Sequence, residues 1–366
     1  MAFLLFALKV NPMKRTGGHV IWETLLAEGV RTVFGYPGGA ILPAYDALVD
    51  YPIRPILVRH EQSAVHMADG YARACGETGV VIATSGPGAT NLVTGIATAM
   101  MDSSPIVCIT GQVSSQVIGS DAFQEIDIVG ITIPITKRSF LVTRAEDIAQ
   151  TLRRAFALAR SGRPGPVLVD ITKDAQQAAV DGIEPAPELR TRRRRERVSC
   201  SADDIDRAVA LIDAAERPVI LAGHGVLLSG ACRELREFVE RTGTPVAMTL
   251  LGIGSLPASH PLNLGMMGMH GEAWVNQAIQ QADLLIAFGM RFDDRVTGNL
   301  RTYAPLARKI HAELDASEIN KKCRGRRAAR GRRRHNVARI APEDPRSTPR
   351  GLAVSHRWLR GHCRRA

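Results

Sequence analysis

Short apolar runs that stop at a glycine-rich turn and pass directly into a helix recur along this chain, and that alternation leaves few folds open to it. Residues 32–34 stop at Gly35-Tyr36-Pro37-Gly38-Gly39, before helical spacing over 40–48. Residues 55–58 read as a buried strand that ends at Arg59-His60 and turns into a helix. Residues 80–84 run into Ser85-Gly86-Pro87-Gly88-Ala89-Thr90-Asn91 and a helix through Met101, and residues 106–110 run into Gly111-Gln112. Apolar strands without polar alternation, each followed by a helix, require a parallel sheet covered on both faces. A helix over 145–161 and a strand over 166–171 complete the unit.

A second series repeats the pattern. Its helices are expected over 203–214, 231–241 and 272–281, and its strands over 218–222, 245–248, 283–288 and 309–314. The expected fold class is therefore α/β, with two doubly wound parallel-sheet domains over 14–175 and 201–320, the second incomplete at its C-terminal end. A Pro- and charge-rich linker over 176–200 joins them, with Arg192 to Arg195 as a basic run that reads as a solvated connector. Residues 321–366 lose apolar periodicity and read as a basic, disordered tail.

Charge follows the same division. The net charge is +11, but of 47 basic and 36 acidic residues, 16 and two fall in 321–366, leaving 31 and 34 in the rest. The body is thus slightly acidic, which argues against nucleic acid as a partner. Six cysteines, Cys75, Cys108, Cys200, Cys232, Cys323 and Cys363, lack metal-ligand spacing, so free thiols, a cytoplasmic location and no metal ligands within the chain are expected. The apolar opening, residues 1–10, is too short to span a bilayer and lacks the layout of a signal peptide; Met13 offers an alternative start.

The stretch Arg59 to Arg73 carries the first chemical signal. Ala64, Met67, Ala68, Tyr71 and Ala72 fall on one helical face. Glu61 stands where the strand's carboxyl end becomes the first helical turn, the edge of an open α/β sheet at which ligands bind. A carboxylate fixed there and shielded from water binds a proton more readily; alternatively it only favours the positive helix N-terminus. The glycines at 35–39 allow close approach of a ligand or simply a tight turn. The polar loop Asp121-Ala122-Phe123-Gln124-Glu125 presents one aromatic side chain.

Three stretches together, RHEQSAVHMADGYAR, SGPGATN and DAFQE, resemble the pyrimidine-binding domain of thiamine-diphosphate enzymes. Adding TLLGIGSLP, GMMGMHG and GMRFDDRVTGN narrows the resemblance to the large, catalytic subunit of acetolactate synthase, over roughly residues 16–320. The resemblance implies decarboxylative condensation of pyruvate with a second 2-oxo acid, pyruvate or 2-oxobutyrate, in branched-chain amino-acid synthesis. Glu61 would hydrogen-bond the pyrimidine ring of thiamine diphosphate, with Pro87 beside it. Gly39 lies in a turn that resembles a loop bordering the reacting centre, Phe123 and Gln124 match an active-site loop, and Lys137 matches a lysine near the substrate entrance. The second domain resembles an FAD-binding domain in which FAD is structural. Its expected contacts are Gly223, Gly225, Thr249, Leu250, Met269, His270, Gly289, Arg291, Asp293, Arg295, Val296 and Glu313. The glycines would admit the pyrophosphate to backbone N–H groups, and Arg291 and Arg295 would neutralise it. Gly-His-Gly by itself lacks the full dinucleotide fingerprint, and His270 by itself reads equally as a packed loop histidine. A homodimer or tetramer and a small regulatory subunit are implied partners, with no membrane.

One departure qualifies these expectations. The family's diphosphate and Mg2+ are held by Gly-Asp-Gly and a later Asn, and no Gly-Asp-Gly occurs in the chain. The family pattern is expected to stop after Asn320, through a shifted reading frame or a true basic arm. The chain is then expected to lack the diphosphate site and to be inactive alone, the alternative being a catalytically silent FAD-binding or dimerising subunit.

Overall fold

A computed structural model of the protein describes residues 15–180 and 200–322. The expectations for the apolar opening, Met13, the basic run of the linker, Cys323, Cys363 and the tail from 323 onward lie outside the described residues. The chain divides into two units between residues 193 and 194.

The first unit has strands β1 (Thr32–Gly35), β2 (Arg54–Leu57), β3 (Gly79–Ala83), β4 (Ile106–Gln112), β5 (Arg138–Val142) and β6 (Val167–Thr172). Its helices are α1 (Gly17–Ala27), α2 (Leu42–Leu48), α3 (Glu61–Cys75), α4 (Pro87–Thr90), α5 (Val93–Asp102), α6 (Ile128–Thr132), α7 (Ala145–Arg160) and α8 (Lys173–Gln177). The strands form one parallel sheet in the order β2-β1-β3-β4-β6-β5. Trp22, Leu25, Leu152 and Phe156 pack on one face, and Ala64, Val65, Leu92 and Ile96 on the other. The two-sided burial explains the unbroken apolar runs of β3, β4 and β6.

Glycine sets how closely α1 can approach. A Cβ at Gly17 would lie 2.0 Å from the Ala175 carbonyl oxygen, and one at Gly18 2.6 Å from that of Pro43. Both glycines belong to the helix, which begins at Gly17.

Three further differences arise at sheet edges and helix faces. Residues 55–58 were expected to be buried, yet β2 is an edge strand whose Arg54, Pro55 and Leu57 are exposed, Leu57 by 66%. An edge strand has one neighbour, so Pro55 can sit there without an N–H to donate. The other edge, β5, was not anticipated, because Arg138-Ser139-Phe140-Leu141-Val142 is half exposed and its pattern is weak. On α3 the buried positions are Ala64, Val65, Ala68, Asp69 and Ala72, whereas Met67 is exposed. Gly95 of α5 opens the space that Val65 occupies; a Cβ there would lie 1.9 Å from Val65 Cγ1.

The second unit has strands β7 (Pro218–Ala222), β8 (Val246–Met248), β9 (Asn263–Met266), β10 (Leu284–Phe288) and β11 (Arg308–Ala312), again parallel, in the order β11-β10-β7-β8-β9. Its helices are α9 (Ala202–Asp213), α10 (His224–Leu228), α11 (Cys232–Thr242), α12 (Ala273–Gln281) and α13 (Asp294–Thr297). The edge strand β9, with its Gly265, was likewise not anticipated. Among the described residues no helix is long and apolar enough to cross a membrane.

The strand orders locate the crevices. In the first unit the chain leaves β1 toward β2 and returns on the other side as β3. In the second it leaves β7 toward β8 and β9 and returns on the other side as β10. The switch points thus lie at the carboxyl ends of β1/β3 and β7/β10, where open α/β sheets bind ligands.

Candidate active site

Glu61 is the first residue of α3 and half-buried, held there by a cap made one residue earlier. His60 is extended, and its Nδ1 accepts the Gln62 N–H at 3.1 Å. Glu61 Oε2 accepts from Asn91 Nδ2 at 2.8 Å. The same carboxylate's Oε1 makes no hydrogen bond among the described residues and faces Gly88, where a Cβ would lie 3.4 Å from it. Asn91 follows α4, so the SGPG turn is what carries it to Glu61. It is a candidate site residue to which the sequence analysis gave no role, although it ends the SGPGATN stretch.

Thr84, after β3, joins the two turns at the first switch point. Its Oγ1 accepts the Ala40 N–H at 3.2 Å. Its side chain also fills the space over both Gly38 and Gly88, where a Cβ would lie 2.5 and 2.7 Å from Thr84 atoms. The Ala40 carbonyl accepts from Gln176 Nε2 at 2.9 Å, so the backbone of Ala40 is held through both its N–H and its carbonyl. Gly39 itself has open space where a Cβ would stand. Gln124 reaches the same place through its backbone: with φ of 59°, it packs on Gly86, where a Cβ would meet its carbonyl oxygen at 2.8 Å. Phe123 is 88% exposed. Glu61, Gly39, Pro87 and Gln124 are therefore brought to one sheet edge, with Phe123 beside Gln124 on its loop.

Lys137 is not brought there. It immediately precedes β5, at the amino edge of the sheet, and its backbone N–H donates to the Pro166 carbonyl at 2.8 Å. Its Nζ donates to the carbonyls of Leu158 and Ser161 at 2.6 and 2.5 Å. That is a cap on the C-terminus of α7, the negative end of the helix. Burial lowers its pKa to about 8. Within this unit Lys137 is engaged with the end of α7 and is not brought to Glu61.

In the second unit the expected cofactor residues follow the carboxyl ends of all five strands: Gly223 and Gly225 after β7, Thr249 and Leu250 after β8, Met269 and His270 after β9, Gly289 to Val296 after β10, and Glu313 after β11. Their partners correct the reason given for the glycines. Gly223 N–H donates to the Phe288 carbonyl at 3.0 Å, Gly225 N–H to that of Gly289 at 2.9 Å, and Gly289 N–H to that of Ala312 at 2.9 Å. These N–H groups are engaged within the chain and do not await a pyrophosphate. The glycines instead let the β7 and β10 turns interlock, since a Cβ at Gly223 would lie 2.3 Å from the Gly289 carbonyl oxygen.

The rest of the set divides between residues taken up in local bonds and residues exposed along the edge. Thr249 is taken up in capping, accepting the Gly252 N–H at 3.1 Å. Asp293 caps α13 by accepting the Val296 N–H at 3.1 Å, and Arg291 lies 4.0 Å from Asp293. Met269 N–H donates to the Arg295 carbonyl at 2.7 Å, zipping the two loops together. Leu250, Met269, His270 and Arg295 are exposed along this edge. Glu313 Oε1 accepts the Leu314 N–H at 2.9 Å. Among the described residues no group of three or more His, Cys, Asp or Glu could hold a metal ion.

Residues 15–131 match the family described as thiamine pyrophosphate enzyme, N-terminal TPP binding domain, and residues 205–337 match its central domain. The second match runs past the expected boundary at Asn320. The first places a cofactor-binding domain within the chain, so the expectation that the diphosphate site is absent from it does not stand. The chain is 52% identical over 311 residues to the "probable acetolactate synthase large subunit" of Methanocaldococcus jannaschii, covering 84% of this chain and 52% of that one. It is 53% identical over 311 residues to the acetolactate synthase large subunit of Corynebacterium glutamicum, covering 85% and 50%. With the acetolactate synthase isozyme 2 large subunit of Escherichia coli it shares 51% over 305 residues, covering 83% and 55%. The chain thus spans about half the length of the curated relatives it matches.

Proposed function

The chain belongs to the thiamine pyrophosphate enzymes, among the acetolactate synthase large subunits, and from that membership we propose that its site serves the decarboxylative condensation of pyruvate with a second 2-oxo acid. The observation that carries the reading is the Glu61 carboxyl, held at one oxygen by Asn91 and presenting the other beside Gly88. Such a group fits an aminopyrimidine ring: Oε1 would share a proton with a ring nitrogen while Asn91 keeps the carboxyl plane fixed. Thiamine diphosphate, when bound, supplies the electron sink for loss of CO2. Gly88 leaves room for a flat ring against Glu61, and Thr84 fixes the Gly38–Gly39 turn. Phe123 and Gln124 stand where they would cover a substrate and exclude water.

The second unit would bind FAD along its carboxyl edge, with Arg291 and Arg295 facing the pyrophosphate and the exposed Leu250 and Met269 facing the flavin. Magnesium would accompany the diphosphate. The enzyme would act in the cytoplasm in isoleucine and valine synthesis, as a homo-oligomer with a small regulatory subunit.

The test is acetolactate formation from pyruvate by the purified protein with thiamine diphosphate, magnesium and FAD, beside Glu61→Gln. Formation that falls about a hundredfold or more in the variant supports the proposal. Equal rates from both proteins contradict the role of Glu61. Saturable cofactor binding without product favours the silent binding subunit.

A further inference from the structure

We propose that the Gln112 side chain, held in place by Asp170, is the neck that closes the 113–126 loop and so fixes Phe123 and Gln124 over the site. Gln112 ends β4, and its amide touches both ends of this loop. Oε1 accepts the N–H of Val113 at 2.9 Å, and Nε2 donates to the carbonyl of Ile126 at 2.8 Å. The second amide hydrogen goes to Asp170 Oδ2 at 2.9 Å. Asp170 lies on β6, and its Oδ1 accepts from Thr110 Oγ1 at 2.7 Å. Gln112 and Asp170 are 5% and 1% exposed, so water does not replace these bonds.

The geometry admits one orientation of the amide. A flipped amide would point its oxygen at a carboxylate and a carbonyl, and its NH2 at another N–H. Asp170 therefore decides which way Gln112 faces, and Gln112 decides where the loop starts and ends. Between these ends the loop is fastened twice more. Ser115 donates through N–H and Oγ to Asp174, at 3.0 and 2.5 Å. Glu125 accepts the N–H groups of Gly119 and Ala122, which lower its pKa. The tip then rests on Gly86 through the Gln124 backbone. A polar cluster that merely filled the core would not join the first and last residues of the one loop that carries Phe123 and Gln124. Gln112 and Asp170 are positioning residues in this scheme, since neither reaches the Glu61 carboxyl.

That the loop borders a thiamine-diphosphate site rests on the function proposed above, but the neck can be tested without any cofactor. Hydrogen exchange is followed in the purified full chain, in wild type, Gln112→Met, Asp170→Asn and Asp170→Leu. Gln112→Met keeps the volume and removes every bond. Exchange over 113–126 is expected to rise about ten- to a hundredfold, as for loss of two buried hydrogen bonds at the loop ends, while β3 amides stay within about twofold. Asp170→Asn retains an acceptor oxygen for Gln112 and is expected to stay near wild type; Asp170→Leu is expected to match Gln112→Met. If Asp170→Leu does not fold, Gln112→Met decides alone. Unchanged loop exchange in Gln112→Met, or a rise of equal size across the whole sheet, overturns the proposal. Neither result depends on turnover, so failure of the proposed function is distinguishable from failure of the neck.

Discussion

Asn91 and Glu61 stand 30 residues apart in sequence and 2.8 Å apart in space, with the amide of one fixing one oxygen of the other. The pairing couples the SGPG turn to the start of α3. Asn91→Ala is expected to weaken thiamine diphosphate binding about tenfold, the cost of a hydrogen bond to a charged group. Little stability should be lost, because both residues are only half-buried. Calorimetric titration beside a thermal melt separates the two effects; unchanged affinity would mean that Asn91 does not orient the carboxyl.

Lys137 should behave as a helix cap. Lys137→Met removes the bonds to Leu158 and Ser161 and is expected to cost about 1 to 2 kcal/mol of stability. Cofactor affinity should not change. A variant of native stability with impaired binding would restore Lys137 to the site.

Asp170 gives a pH signature. Burial raises its pKa from 3.8 to about 7, against the lowering effect of Thr110 and Gln112. The folded protein then binds this proton more tightly than the unfolded chain, so its contribution to stability falls as pH rises from about 4 to about 7. Asp170→Asn does not titrate. Its stability relative to wild type should therefore improve across that window, by on the order of a few kcal/mol, and level off above it. Urea titrations at several pH values check this; a difference independent of pH would contradict the raised pKa.

The second unit predicts a division of labour for FAD. Arg291→Ala and Arg295→Ala should each weaken flavin retention about three- to tenfold if the pyrophosphate lies against them. Gly225→Ala should instead disturb the fold, since its Cβ would lie 2.6 Å from Gly289 Cα. Flavin fluorescence with circular dichroism reads both, and retention unaffected by either arginine change would move the cofactor elsewhere.

The sequence reading succeeded where two faces of a strand are buried. β3, β4, β6, β7 and β10 all appear as unbroken apolar runs, and the segments after β3, β4, β7 and β10 carry candidate site residues. It failed at the edges: β2 was taken as buried, while β5 and β9 were passed over, because a strand with one neighbour and one wet face carries little pattern. Within the candidate site, the placement of Glu61 at a strand end was legible, and the neighbouring motifs, not that position alone, gave it a proposed role. Asn91, Thr84, Gln112 and Asp170 were not assigned roles, because their meaning lies in pairings 44 to 58 residues apart, or 30 for Asn91, that no local spacing encodes. Lys137 stands at the other end of the sheet from Glu61, and a motif match does not state which end of the sheet a residue occupies.

The most direct measurement is calorimetric titration of thiamine diphosphate, with magnesium, into the wild-type chain and into Glu61→Gln, each checked for native circular dichroism. The account predicts saturable binding to wild type and affinity at least about tenfold lower in the variant, because Oε1 no longer offers an ionisable partner to the ring. Equal affinity in two folded proteins would contradict the placing of Glu61 at the centre of the site.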